Sequence, residues 1–377
     1  MDTAQTSDRI PMPRRRRAPR GERGQMLILV GFVLFVMLGL AAMAVDLGTY
    51  MGDRRDLQND VDAMALAGAR DLPDEAAAVS SVNNWGVKNG IVPGDDDLDN
   101  GEIESIEVYQ QSLPDEPNPR ISVTLKRNHD FVFARVLGIS SGTVEASASA
   151  VKTSPGGGTG VLPLTVKDEN VPPPSGFGEE VVLKYDAVNV ENGNFGPVRI
   201  DGSGASVYED TLTYGSESVV CGSTSPFSEC QETSPECVGP ECPSEPGDMV
   251  GATRKAIDYR MTYAAAECSD FTGDNGAFVD NGDGTHHLKP RCNPFVAGGE
   301  DSLRVVVIPI IDELCSGSCQ VTIKGFALFY LEGYDHGKCS GNKCEIKGRF
   351  VKSHVNFGAL TGVYDEEGSI EFVRLVE

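Results

Sequence analysis

Residues 26–45 read MLILVGFVLFVMLGLAAMAV, a run of twenty residues without a charge or a proline. As a helix, this run is about 30 Å long, which matches the hydrocarbon core of a bilayer. Seven arginines and three acidic residues precede it within residues 1–24, and Asp46 follows it. The positive-inside rule therefore predicts a single-pass membrane protein with residues 1–24 in the cytoplasm and the C-terminal domains extracytoplasmic.

A cleaved signal peptide is the alternative interpretation of this run. Ala42-Met43-Ala44 has the small-x-small pattern of a signal-peptidase site. The apolar run is nevertheless longer than the usual core of a signal peptide, about 7–15 residues. We therefore predict an uncleaved signal-anchor.

The charge of the chain is divided unevenly. The net charge is −24 overall, and because residues 1–24 are basic, the remainder carries −28. Such an acidic body repels phosphate backbones, so no nucleic-acid partner is expected. With 40% hydrophobic residues, the chain has enough apolar side chains to form real cores.

The cysteines indicate an oxidising compartment. All ten lie beyond the apolar run, from Cys221 to Cys344. No C-x-x-C motif occurs, which argues against the alternative of a zinc site. Local disulfides are expected between Cys315 and Cys319 and between Cys339 and Cys344, because each pair flanks a turn between strand-like runs.

The helix is expected to continue beyond the membrane as an amphipathic stalk ending at Pro73. Its apolar stripe has helical spacing, and consists of Leu57, Val61, Met64, Ala65 and Gly68. Polar side chains (Asp53, Arg54, Asp56, Asn59 and Asp60) face elsewhere. Alternating residues then predict strands at 105–110, 121–126 and 143–152, with a short helix at 131–137. A long helix followed by a small antiparallel sheet is the outline of a pilin-like subunit.

Residues 154–160, SPGGGTG, have the composition of a flexible linker. Beyond them, short alternating runs predict a β-rich outer domain, for which a sandwich is one architecture. The runs are 180–185, 303–311, 320–332, 344–355 and 369–376. Residues 221–246 contain four cysteines among Ser, Pro and Glu, and are expected to form a stapled surface loop.

Several segments together resemble TadE/TadG-like Flp pilus-assembly proteins. They are Arg23-Gly24-Gln25, the apolar run, Val45-Asp46-Leu47-Gly48, and DAMALAGA at 62–69. The resemblance extends more loosely to 131–151 and so covers about residues 23–152. It implies a minor pilin-like or assembly component of a tight-adherence pilus, with other Tad components or pilin-like subunits as partners.

The sequence departs from the family pattern at two places. Leu29 stands where a processed prepilin has glutamate, so cleavage after Gly24 is not expected. Larger TadG relatives carry a metal site of the form Asp-x-Ser-x-Ser. Here the segment beginning at Asp201 reads DGSGA and lacks the last hydroxyl, so we predict a glycine turn.

No catalytic, cofactor-binding or metal-binding residue is predicted, and no cofactor. The five histidines are expected to be solvated loop residues. Asp95, Asp97 and Asp99 have the first spacings of a calcium loop, but Ile106 replaces its bidentate glutamate. Residues 280–284 could also hold calcium, although a hairpin turn explains their sequence. We prefer a solvated acidic loop for the first segment and a hairpin turn for the second.

The predicted fold class is α+β, in five segments. Residues 1–24 form a cytoplasmic arginine-rich tail, 25–46 the transmembrane helix, 47–153 a pilin-like region, 154–160 the linker and 161–377 the β-rich extracytoplasmic domain. The predicted function is a membrane-anchored component of Flp pilus assembly or of a cell-surface structure, acting by protein contacts. The first alternative is an anchored surface-binding module, that is, an adhesin or receptor. A secreted enzyme is the less favoured alternative.

Overall fold

The computed structural model describes most of the chain, with the following ranges: 22–91, 93–94, 98–110, 118–172, 176–185, 195–225, 234–246, 249–281, 286–296, 302–313, 318–335, 339, 344–355, 357, 360–364, 368 and 370–376. Within these ranges it contains four α-helices: α1 Glu22–Arg70, α2 Glu75–Lys88, α3 Ala205–Tyr214 and α4 Val250–Tyr263.

The strands of the described residues are numbered in chain order. They are β1 Glu102–Tyr109, β2 Arg120–Asp130, β3 Ser141–Thr153, β4 Pro155–Gly158, β5 Leu164–Lys167, β6 Glu180–Tyr185, β7 Phe195–Pro197, β8 Val220–Cys221, β9 Glu241–Pro243, β10 Phe278–Asp280, β11 His286–Leu288, β12 Val305–Ile311, β13 Gln320–Tyr334, β14 Cys344–Val351, β15 Ser353–His354, β16 Leu360–Thr361 and β17 Ile370–Val376. The α+β fold class is confirmed.

The 49-residue helix α1 joins the apolar run and the stalk without a break. It ends at Arg70, shortly before Pro73. This end is expected, because proline cannot continue a helix. The sequence did not predict α2, which follows at once. The Asp74 side chain begins α2 by accepting a hydrogen bond of 3.0 Å from the amide of Ala77.

A five-stranded sheet packs against the stalk, in the order β1-β2-β3-β17-β15. The three strands predicted before residue 153 are confirmed, and β1, β2 and β3 pair antiparallel. The predicted helix at 131–137 is a short 3₁₀ helix, Ala134–Leu137. β17 comes from the far end of the chain and pairs with β3. The pilin-like sheet is therefore completed by residues outside the predicted 47–153 segment.

The prediction of a flexible linker at 154–160 was wrong for most of its residues. Pro155–Gly158 form the buried strand β4, which lies between β16 and β8. Gly157 permits this close approach, because a Cβ there would lie 2.5 Å from the carbonyl oxygen of Val220.

We call residues 161–377 the outer region. Its described part contains a seven-stranded sheet in the order β6-β14-β13-β12-β5-β7, with β9 also paired to β13. All five runs predicted in this region coincide with strands. The helices α3 and α4 were not predicted. They contribute Leu212 and Ile257 to a core on one face, together with Val306 and Ile308 of β12. Helices rather than a second sheet therefore cover that face, unlike the sandwich suggested by the sequence.

The other face of this sheet carries a core that includes cysteines. Described disulfides join Cys237 to Cys242, Cys268 to Cys292 and Cys339 to Cys344. The predicted 339–344 pair is confirmed. Cys319 is disulfide-bonded, but Cys315 lies outside the described residues, so that pairing stays a prediction. Cys242 is fully buried, which corrects the expectation that residues 221–246 form only a surface loop.

Candidate functional site

The region that joins the apolar half of α1 to the small sheet is the candidate functional site. On its sheet-facing side, all five residues of the predicted stripe are buried. They pack in one core with residues from α2, β2 and β3, including Val82, Ile121 and Val144. The stalk prediction is therefore confirmed, and the partner of the stripe is the protein's own sheet.

Polar residues of the stalk also bind the sheet. Asp53 and His129 are joined by a contact of 2.5 Å between Oδ2 and Nδ1, and Asp60 pairs with Arg127 at 2.9 Å. His129 lies on β2 and is buried, so the prediction of a solvated loop histidine was wrong for this residue. Of the polar residues predicted to face away from the stripe, Arg54, Asp56 and Asn59 are exposed.

Asp46 fixes the turn between β2 and β3 to the end of the apolar run. Its buried carboxylate accepts hydrogen bonds from the backbone amides of Val132, Phe133 and Ala134, at 2.6 to 3.1 Å. These amides begin the 3₁₀ helix, where N–H groups lack partners within the helix. A carboxylate is a strong acceptor for such groups. The sequence marks Asp46 as the end of the apolar run and as part of the family resemblance, but does not show that it binds this turn.

The turn held by Asp46 has an apolar surface. Residues 131–139 read FVFARVLGI, and their exposed large apolar side chains are Val132, Phe133, Val136, Leu137 and Ile139. Between this turn and α1 lies an open notch of about 780 Å³, which includes Phe35, Leu38 and Met43 in its lining. We call residues 131–139 the apolar turn.

A second cavity, of about 700 Å³, lies in the outer region. It is lined in part by Arg260, Tyr214 and Phe295. Burial lowers the pKa of Arg260 to about 10, and its guanidinium donates to the carbonyl oxygens of Leu212 and Leu303 at 2.6 and 2.8 Å. These bonds hold α4 to α3 and to the start of β12.

The candidate calcium segments lie only partly within the described residues. Among these residues, no group of three or more His, Cys, Asp or Glu side chains is placed to hold a metal ion. Asp95, Asp97 and residues 282–284 of the two calcium candidates lie outside them. The Asp201 carboxylate instead accepts hydrogen bonds from Thr211 and from the backbone of Ser218, in a loop that leads into α3.

Residues 24–71 match the family model described as "Putative Flp pilus-assembly TadE/G-like". The match covers the apolar run and the stalk, and confirms the resemblance for this part of the chain. Neither the curated proteins nor the solved structures compared with the chain give a match. Within the described residues, α1 is the one helix long and apolar enough to cross a membrane. These findings support a membrane-anchored, pilus-related role.

Proposed function

We propose that this protein is a pilin-like component of Flp pilus assembly, anchored by α1 and acting through protein contacts rather than catalysis. The observation that carries the proposal is the division of α1. Its first half is apolar and almost wholly exposed over residues 26–45, whereas one face of its second half is buried on the protein's own sheet. The match at residues 24–71 to a pilus-assembly family covers both halves.

In the proposed topology, residues 1–24 are cytoplasmic and the sheets are extracytoplasmic. The seven arginines before the apolar run support this orientation. The disulfides of the outer region support it independently, because such bonds persist in oxidising compartments. Mass spectrometry of the membrane-extracted protein should give an N-terminus before the apolar run. A mature N-terminus at Val45 or Asp46 would contradict the anchor.

The exposed half of α1 is proposed to pack laterally against helices of pilin-like subunits. The test is complementation of a deletion strain, with pili counted by electron microscopy. The wild-type gene should restore pili. In a second variant, an equally long Leu/Ala run replaces residues 26–45, which keeps an apolar span but changes its surface. This variant should remain in the membrane without restoring pili.

The two strains separate anchoring from specific contact. If the deletion leaves the number of pili unchanged, the pilus role is wrong. If the Leu/Ala variant restores pili as well as the wild type, the helix serves as an anchor alone and the proposed lateral contact is wrong.

A further inference from the structure

We propose that the apolar turn, residues 131–139, is a second membrane contact that inserts into the lipid leaflet on the side of the folded domains. The inference rests on the proposed anchoring by α1 and extends it. It assigns lipid as the occupant of the notch between the turn and the helix.

The turn exposes apolar side chains that the protein itself does not cover. Val136 and Leu137 are 88% and 77% exposed, and Val132 is 63% exposed. These residues lie within one nine-residue turn, whereas apolar residues of β2 and β3, such as Val123 and Val144, are fully buried against the stalk. A contiguous exposed apolar surface of this kind marks contact with a partner or a membrane.

The position of the turn along α1 identifies the partner as lipid. The hydrogen bonds of Asp46 hold the turn beside the last residue before the stalk. The notch extends along the helix from Tyr50 to Phe35. That distance is about 22 Å at the rise of an α-helix. The turn therefore lies beside helix residues that require hydrocarbon, and the lateral contacts proposed for α1 are assigned to its side away from the notch.

The backbone of the turn is suited to a medium that offers no hydrogen bonds. Three of its amides, at residues 132–134, donate to the Asp46 carboxylate. Four more, at residues 131, 136, 138 and 139, donate to carbonyl oxygens within residues 133–140. Seven amides of a nine-residue exposed turn thus have internal partners. Backbone within hydrocarbon requires such pairing, whereas a turn in water does not.

The polar groups around the turn match the membrane interface. Arg135 pairs with Asp130 at 2.7 Å, and its long side chain can extend toward headgroups. On the stalk side, Tyr50 stacks on Phe131 with their ring centroids 6.2 Å apart. Tyrosine and tryptophan rings collect at the headgroup level, above the hydrocarbon. The arrangement resembles an interfacial anchor, whose apolar face reaches about 5–10 Å into the leaflet.

Tryptophan fluorescence of the full chain in proteoliposomes tests this inference. Trp85 is the chain's one tryptophan, so Trp85→Phe gives a silent background. The probe is Val136→Trp, and Leu137→Trp repeats the measurement at a neighbouring site in case the first variant folds poorly. Leu34→Trp reports on the membrane span, and Val238→Trp, exposed in the outer region, reports on water.

Brominated phosphatidylcholine should quench Val136→Trp and Leu137→Trp at least about twofold more than Val238→Trp, with blue-shifted emission. If Leu34→Trp is quenched by the lipid but both turn probes respond only to aqueous acrylamide, the turn lies in water and the inference is wrong. If the turn probes resist both quenchers, protein covers the turn, and lipid is not its occupant. Failure to quench Leu34→Trp would overturn the anchoring proposal itself.

Discussion

The ammonium group of Lys152 lies 3.0 Å from the Oε2 atom of Glu371, and both side chains are buried. Lys152 also donates to the carbonyl oxygens of Arg70 and Leu72, at 3.0 and 2.7 Å. A cation at a helix C-terminus compensates carbonyl groups that have no partner within the helix. One side chain therefore joins the end of the stalk to β3 and to the C-terminal strand.

Replacing Lys152 by methionine should destabilise the protein by roughly 3 kcal/mol, because a buried carboxylate oxygen and the carbonyls of Arg70 and Leu72 lose their donor. Lys352 remains 3.1 Å from Glu371, which limits the loss. Lys126→Met is the matched control, since its partner Glu104 is partly exposed. It should cost less than about 1 kcal/mol. Denaturant unfolding in detergent gives both values, and equal losses would contradict the assigned role.

Val61→Asp should impair folding, because it places a charge in the fully buried core between the stalk and the sheet. Asn59→Asp adds the same charge on the exposed side of the helix and should leave the protein unchanged. Membrane abundance and complex size measure the effect. Wild-type values for Val61→Asp would show that the stalk does not need this packing.

Gly68 is required by the close packing of the stalk on α2. A Cβ at this position would lie 2.6 Å from Cγ2 of Val82 and 2.8 Å from Cδ1 of Ile121. Gly68→Ala should therefore destabilise the protein by roughly 1–3 kcal/mol, although alanine favours helix. Gly52, on the same helix, has no atom within 4 Å of such a Cβ.

Gly52→Ala is accordingly the control, and should stabilise the protein by up to about 1 kcal/mol. Thermal unfolding of the two variants should give melting temperatures that shift in opposite directions. A double variant with Val82→Ala should lose less stability than the sum of the two single changes, because the contact is shared. Strict additivity would exclude the Val82 contact as the cause.

The elements that were predicted correctly are those with a clear periodic pattern in their own sequence. The run at 26–45 and the stripe from Leu57 to Gly68 repeat with a helical period, so they could be identified without tertiary information. α2 was missed because its buried face is formed by small residues, Ala78 and Gly86 with Val82, which give a weak apolar signal. The strand at 155–158 was missed because its glycines have the composition of a linker.

The contacts of the candidate functional site, by contrast, join residues that are far apart in the sequence. Asp53 and His129 are 76 positions apart, and Asp46 is 86 or more positions from the amides it binds. Such contacts follow from the register of β2 and β3 against the stalk, which a single sequence does not specify. A signal was present for the turn, since Phe131 to Ile139 is too apolar for an ordinary hairpin loop.

The last prediction concerns the pairing of the disulfides and the size of the loops that they close. Trypsin cuts after Lys338 and Lys343, so the Cys339–Cys344 bond should link two short peptides that separate on reduction. The Cys268–Cys292 bond should likewise link two peptides, because trypsin cuts after Arg291, between its cysteines. No lysine or arginine separates Cys315 from Cys319. The predicted bond between them should therefore appear within one peptide, as a mass about 2 Da below that of the reduced form.

Peptide mapping without reduction, repeated after reduction, distinguishes this arrangement from exchanged pairs. A peptide containing Cys315 linked to one containing Cys339 or Cys344 would contradict both local bonds. Loss of the Cys339–Cys344 bond by a double change to serine should cost less stability than loss of Cys268–Cys292. The first bond spans 5 positions and the second 24, and the chain entropy removed from the unfolded state rises with the size of the closed loop. The reverse order of unfolding temperatures would show that loop closure is not what these bonds contribute.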